Sequence, residues 1–269
     1  MLRPLAISVL ALPLLGQTST APSPSLSLEQ KEEFLKTAKV VSTHAAKKGI
    51  TGTVRVTLSD GVITHDASVQ RIDEQKTRFE GQRGVEMNFR DTYKFNIAGY
   101  RLGRLVGLGN MIPPSVERTF QGTRASWTWW VEDVLMDEGD RLKKKIEAPD
   151  KDIWARQYQI MRVFDQLIAN TDRNVQNILY DRGWHLWMID HSRAFRLYTQ
   201  VLDKKSLERC DAQLLANLKS LSDEKLRAET KEWLREPEIK GILARRNQIV
   251  TLFENGDPAK LYEFLAGRP

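Results

Sequence analysis

The sequence predicts an α+β chain in two lobes, a small β-rich one carrying one helix and then a mainly helical one. Three observations predict it. From Gly52 to Ile72, apolar residues alternate with polar ones, the period of a half-buried hairpin. From Tyr93 to Gly107 the apolar spacing changes to three and four, the period of a helix. From Ile153 onward the helical period dominates, broken once around residues 170–190. At 269 residues the chain can bury a sizeable core, as one two-lobed unit or as two small domains. A hydrophobic content of 41% with 28% charged residues is globular and excludes large-scale disorder.

In chain order, residues 1–21 read as a signal peptide. Arg3 gives the positive start, Leu5 to Leu15 is an apolar run too short to span a bilayer, and Ser19-Thr20-Ala21 offers small residues for cleavage. Pro4 and Pro13 count against a buried helix there. Export to a periplasmic or secreted location is therefore expected, and no later run is long enough to cross a membrane. The single cysteine, Cys210, excludes an internal disulfide. Residues 22–50 read as a linker and a charged helix from Leu28 to Lys48. Ser27 is its cap, and Phe34, Leu35, Ala38 and Val41 lie on its apolar side.

Residues 51–134 form the expected small lobe. Val54, Val56 and Leu58 alternate, Ser59-Asp60-Gly61 turns the chain, and Ile63 to Ile72 returns as a second strand. Gln75 to Asn88 is polar, contains Gly81 and Gly84, and reads as a loop. Tyr93, Ile97, Tyr100, Leu102 and Leu105 mark a helix ending near Gly107. Pro113-Pro114 then forces an extended path into Val116. Ser126 to Val134 is an aromatic-rich strand leading to the second lobe, residues 135–269. There Asp140 to Asp152 is a charged connection, followed by a helix with Ile153, Trp154, Tyr158, Met161, Phe164, Leu167 and Ile168 on one face. Beyond Phe195, helices are expected at about 203–221, 223–234, 236–255 and 258–265, with Leu207, Leu214, Leu215 and Leu218 as an apolar stripe.

The break in the helical pattern carries the chemistry. The helix stops at Asn170-Thr171-Asp172-Arg173-Asn174, where short polar side chains favour turns. Asn177 to Tyr180 is a short strand, Asp181-Arg182-Gly183 turns it, and Trp184 to Ile189 returns. Asp190 stands where the second strand ends. This layout gathers Asp172, Asn177 and Asp190 around one point. Oxygen donors of this kind suit a hard cation such as magnesium. A further carboxylate beside it can orient or deprotonate a hydroxyl, as phosphoryl transfer requires.

Asp172-Arg173-Asn174-x-x-Asn177, followed by Ile189-Asp190-His191, resembles the catalytic loop and metal-binding aspartate of the protein-kinase-like superfamily. The spacing is nearest to phosphatidylinositol 3-/4-kinases, HipA-type kinases and secretory kinases of the four-jointed type. The resemblance implies a two-lobed kinase-like fold, with Asp172 as catalytic aspartate and Asn177 and Asp190 as metal ligands. It implies ATP and Mg2+ or Mn2+ as cofactors, and an acceptor hydroxyl on a protein, sugar or small molecule. The Ser59-Asp60-Gly61 hairpin would cover the nucleotide. The helix from Tyr93, with the Pro-Pro turn after it, would be the small-lobe helix, and Trp127, Trp129 and Trp130 would either stack an adenine or pack between the lobes.

The sequence departs from that pattern at two positions. Where the superfamily carries a phosphate-binding strand lysine paired to a helix glutamate, this chain has Gln70 and Asn96, both neutral. Lys76 or Lys94 would have to supply the missing charge. Lys94 is two residues from Asn96, about 200° away around the helix, so Lys76 is the better placed of the two. The neutral pair also keeps open an alternative function, a catalytically inactive pseudokinase-like binding module. The net charge of +6 suits an anionic partner such as nucleotide phosphate. It is spread along the chain with no arginine-aromatic tract, which argues against nucleic acid.

Overall fold

The computed structural model describes residues 26–45, 53–81 and 84–266, so the expected signal peptide lies outside the described residues. A β-sheet region comes first and a helical region follows, as the alternating and helical periods require. Helix α1 (Leu28–Thr37) starts where Ser27 and Gln30 form a reciprocal capping box. It ends at Thr37, eleven residues before the Lys48 that its charged composition suggests. Strand β1 (Lys39–Ala45) takes over, because the β-branched Val40, Val41 and Thr43 favour extended backbone and the segment finds a partner strand. A bulge at Val41 turns that side chain outward, off the apolar side where a helix would put it.

Strands β2 (Val54–Ser59) and β3 (Thr64–Gln70) form the expected hairpin. Its turn is closed by Asp60 Oδ1, which accepts from the amides of Val62 and Ile63 at 2.8 Å each. Gly61 there takes a φ of 91°, open to glycine and costly for other residues. Strands β6 (Ser115–Phe120) and β7 (Thr123–Trp129) complete a five-stranded antiparallel sheet in the order β1-β2-β3-β7-β6. One face carries Val56, Leu58, Ala67, Val69 and Trp127, and α1 packs Phe34 and Leu35 onto it as a separate small core. Trp127 is wholly enclosed there and Trp129 stacks on His65 at 3.7 Å, so both tryptophans serve packing.

The segment expected as a loop, Gln75 to Asn88, is instead most of a second hairpin, β4 (Asp73–Gly81) with β5 (Gly84–Thr92). Both faces of β4 meet solvent along most of its length, so its sequence lacks the apolar alternation that would betray a strand. Helix α2 (Lys94–Leu105) ends in a Schellman motif. Leu108 N–H reaches Gly103 O at 2.7 Å and Gly107 N–H reaches Arg104 O at 3.1 Å, with Gly107 at a φ of 85°.

The charged connection after residue 140 is in part helix α3 (Glu138–Lys144), capped by Asp137, which follows the short strand β8 (Val134–Asp137). Helix α4 (Lys151–Leu167) is the long apolar-faced helix expected, capped by Asp150. Strands β9 (Ile178–Asp181) and β10 (Leu186–Met188) form the second short hairpin and join β8 in a three-stranded sheet. Helices α5 (Ala212–Ser220), α6 (Asp223–Thr230) and α7 (Glu236–Glu254) follow. The first begins later than expected, at its Asp211 cap. The residues expected as a last helix form only a 3-10 turn, 258–260, and a two-residue strand, Leu261–Tyr262, parallel to Cys210–Asp211. Asp211 Oδ2 fixes that end by accepting from the amides of Phe264 and Leu265. The larger core gathers α2, α4, α5, α7 and the short sheet. No helix among the described residues is long and apolar enough to cross a membrane.

Candidate active site

The end of α4 aims the site loop. Ala169 turns left-handed at a φ of 46°, Asn170 N–H closes on Asp165 O at 2.8 Å, and the chain leaves the helix as Asn170-Thr171-Asp172. Arg173 then pins the loop from beneath. Its guanidinium pairs with both oxygens of Asp165 and donates to the carbonyls of Asn177 (3.2 Å) and Ile189 (2.7 Å). One buried cation thus fixes α4, the loop and the end of β10 together. Ile189 N–H donates to Asn177 O at 3.1 Å, which sets Asn177 beside the backbone that leads into Asp190.

Asp190 follows with a φ of 53°. Strained left-handed backbone at a non-glycine residue persists only where its surroundings impose it. Here the imposing contacts are the Ile189 amide bond and, on the other side, His191 N–H donating to Asn96 Oδ1 at 2.7 Å. Asp190 Oδ1 itself accepts one long bond, from Ser192 N at 3.3 Å.

Gln70 and Asn96, distant in sequence, meet directly. Asn96 Nδ2 donates to Gln70 Oε1 at 2.5 Å, and Gln70 Nε2 donates to Thr53 Oγ1 at 3.2 Å. The amide pair therefore runs from the sheet through α2 to the backbone of His191. The Ser59-Asp60-Gly61 turn lies at the opposite end of the hairpin from Gln70, so it is not the element over this pair. The connection at the Gln70 end, residues 46–52, lies outside the described residues. Lys94 points to Asp73 (2.9 Å), and Lys76 pairs with Glu74 (3.0 Å) on the exposed hairpin.

Three neighbours of the loop had no signature in the sequence, Asp91, Arg193 and Arg196, whereas Asp165 had one as a carboxylate on the buried face of α4. Asp91, next to last in β5, is buried; burial raises its carboxyl pKa, and the charges of Asp190 and Asp172 push the same way. Arg193 lies between carboxylates, 3.2 Å from Asp172 Oδ2 and 3.6 Å from Asp91 Oδ2. Its guanidinium lies over the rings of Phe89 and Phe79, which stack on each other at 4.1 Å. Arg196 pairs with Glu86 and donates to Arg90 O, tying β5 to the segment after Asp190. Arg193 falls three residues after Asp190, but nothing in the local pattern marks it. Asp91 sits on a strand that reads as the end of a loop.

His191 is enclosed, and burial together with the Arg173 charge holds its pKa well below the ordinary range, so it is neutral. It packs edge-on to Phe164 and against Gly99 of α2. A Cβ at Gly99 would stand 3.1 Å from His191 Cγ and 3.3 Å from its Cβ. Gly99→Ala is expected to cost about 1–3 kcal/mol by overpacking. That outweighs the gain of about 1 kcal/mol in helix propensity, because Asn96 holds His191 in place. A lower urea midpoint at unchanged m-value is the readout.

No protein-family model matches the sequence, and no curated protein is similar to it in sequence. The fold is similar to solved structures. The Fam20 protein of hydra, solved with a sugar, aligns over 88% of this chain and 92% of its own, with TM-score 0.63 at 15% identity. The Helicobacter pylori proinflammatory kinase CtkA aligns over 80% of this chain and 92% of its own at 9% identity, with TM-score 0.45, too loosely to add to it. At 15% identity the first likeness shows the fold alone, a β-sheet region followed by a helical region, which matches the kinase-like fold expected.

Proposed function

We propose that this kinase-like fold serves an exported atypical kinase, which transfers the γ-phosphoryl group of ATP to a hydroxyl on a protein, sugar or small molecule. The observation that carries the reading is that Arg173 ties Asp165 of α4 to the carbonyls of Asn177 and Ile189, which holds the loop bearing Asp172 and Asn177 against the backbone that leads into Asp190. In this reading the acceptor hydroxyl oxygen attacks the γ-phosphorus while Asp172 orients it and takes its proton. The bond to the β–γ bridging oxygen breaks, and ADP leaves with that electron pair.

Asp190 and Asn177 would hold a divalent cation, whose role is to neutralise charge on the phosphates. The donor set fits one: a carboxylate with a single weak protein hydrogen bond and an amide, both oxygen donors. Among the described residues no three His, Cys, Asp or Glu side chains converge on one point. A cation here would keep water or phosphate oxygens in its other positions, as Mg2+ commonly does. The test is calorimetric titration of ATP with Mg2+ or Mn2+, then phosphate transfer to a panel of hydroxyl acceptors. Saturable binding that disappears with EDTA is the expected result. Absence of ATP binding with either metal would overturn the reading.

A second reading is favoured by the Gln70–Asn96 bond. The two neutral amides satisfy each other and the neighbouring groups, leaving no cation at the place where the superfamily has its lysine. A nucleotide-binding module without turnover is what that pair alone supports. Binding without transfer over hours separates it from the first.

A further inference from the structure

We propose that Arg193 is the phosphate-binding cation of this site, acting from the large lobe in place of a small-lobe lysine. The inference rests on the kinase reading above and names the group that makes it workable. Charge developing on a transferring phosphoryl group needs a fixed cation beside it. The lysines the sequence offers and the arginines that flank the loop and Asp190 are each committed elsewhere. Lys94 is held by Asp73 and Lys76 by Glu74, both on the β4–β5 side. Arg173 spends its donors beneath the loop on Asp165 and two carbonyls. Arg196 is buried against Glu86 and Arg90 O.

Arg193 differs in what it has left. Its Nη1 donates to Asp172 Oδ2 at 3.2 Å, its Nε is enclosed 3.6 Å from Asp91 Oδ2, and the side chain still keeps 27% exposure. A guanidinium carries five N–H donors in a planar fork suited to two phosphate oxygens. The plane is fixed by Phe89, whose ring centre is 4.8 Å from the guanidinium carbon, and by Phe79 at 5.5 Å. Asp91, 3.6 Å away and buried, holds the charge from behind. The cation is thus preorganised by an aromatic platform and two carboxylates, one of which is the residue assigned to the acceptor hydroxyl. A guanidinium shared by Asp172 and a phosphate would register the acceptor against the group it receives. Arg193 touches the phosphate in this account; Asp91 is a positioning residue.

The experiment compares wild type, Arg193→Ala, Arg193→Lys and Lys76→Ala for Mg2+-dependent binding of ATP and AMP by calorimetry, with unfolding midpoints measured alongside. Arg193→Ala is expected to weaken ATP binding about 10- to 100-fold, the scale of a lost charged hydrogen bond, while AMP affinity holds within about twofold. Lys76→Ala is expected to change neither. If the alanine variant does not fold, Arg193→Lys is decisive, since it keeps the charge Asp91 and Asp172 require but loses the fork. Its ATP-to-AMP affinity ratio is expected to drop several-fold. An unchanged ratio in either folded Arg193 variant, or an equal loss for ATP and AMP, would overturn the assignment. A wild-type protein that binds no ATP overturns the kinase reading itself, a result distinct from wild-type binding that Arg193→Ala leaves intact.

Discussion

Asp190→Ala is expected to abolish metal-dependent ATP binding and to lower any phosphate transfer by at least about 10²–10³-fold, the scale of removing one preorganised electrostatic contact. The carboxylate makes only one long hydrogen bond within the protein, to Ser192 N, so its loss removes little native structure. The backbone around it is held by other groups, through Ile189 N–H on Asn177 O and His191 N–H on Asn96. The fold should therefore survive while the cation is lost. Asp190→Gly sharpens the comparison. Glycine takes the 53° φ without the penalty of about 1–2 kcal/mol that a side chain carries there. That variant should be as stable as wild type or more so, and equally unable to bind ATP with metal. Titration calorimetry with Mg2+ or Mn2+, paired with urea unfolding, reads both quantities. Metal-dependent binding that persists in Asp190→Ala removes Asp190 from the metal site.

Arg173→Ala is expected to be the most destabilising single change in the site, at about 3–5 kcal/mol. Its side chain is 8% exposed and that of Asp165 10%, so alanine leaves a carboxylate buried without its cation. The carbonyls of Asn177 and Ile189 lose their donor at the same time. Against a typical total of about 5–15 kcal/mol, this is enough to lower the urea midpoint severely. Arg173→Lys should recover little, because one ammonium cannot reproduce the fork that meets Asp165 and two carbonyls together. The double variant Arg173→Ala with Asp165→Asn should recover part of the loss by removing the unpaired charge. If the single variant unfolds like wild type, the loop is held by something other than this pair.

The two regions differed in how openly the sequence declared them. The β2–β3 hairpin and α4 were legible because each buries one face, which writes a period of two or of three to four into the chain, and α2 because its large apolar residues recur at helical steps although it is buried nearly all round. The β4–β5 hairpin was illegible for the opposite reason: β4 buries almost nothing, so no period records it. Helix α1 was overextended because Lys36, Lys39, Lys47 and Lys48 read as a continuing charged face. The β-branched residues Val40, Val41 and Thr43 are the signal for the strand that replaces it. Around the candidate site, the loop after α4 and the short hairpin that ends at Asp190 were legible as turn and strand signals, and Gln70 and Asn96, singled out together in the sequence, do meet. The roles of Arg173 and Asp165 could have been suspected, since an aspartate on the buried face of α4 needs a cation nearby. Asp91 and Arg193 could not, because what joins them is tertiary approach between a strand and a loop about a hundred residues apart.

Helix α2 has two different surfaces, and the difference has a mechanical consequence. Phe95, Ala98, Tyr100 and Leu102 belong to the same core as α4 and the helices after it. Toward the sheet and α1 the recorded ties are largely polar: Asn96 to Gln70 and Ser126, and Tyr100, Arg101 and Arg104 to Glu32. Parting an apolar seam exposes surface at roughly 25 cal/mol per Å2 with nothing to offset it. Parted polar groups regain hydrogen bonds from water, so a seam of them opens at lower cost. The easiest line of separation therefore runs between the sheet with α1 on one side and α2 with the large lobe on the other. Any parting along that line would leave α2 with the larger core and would have to break the Gln70–Asn96 bond.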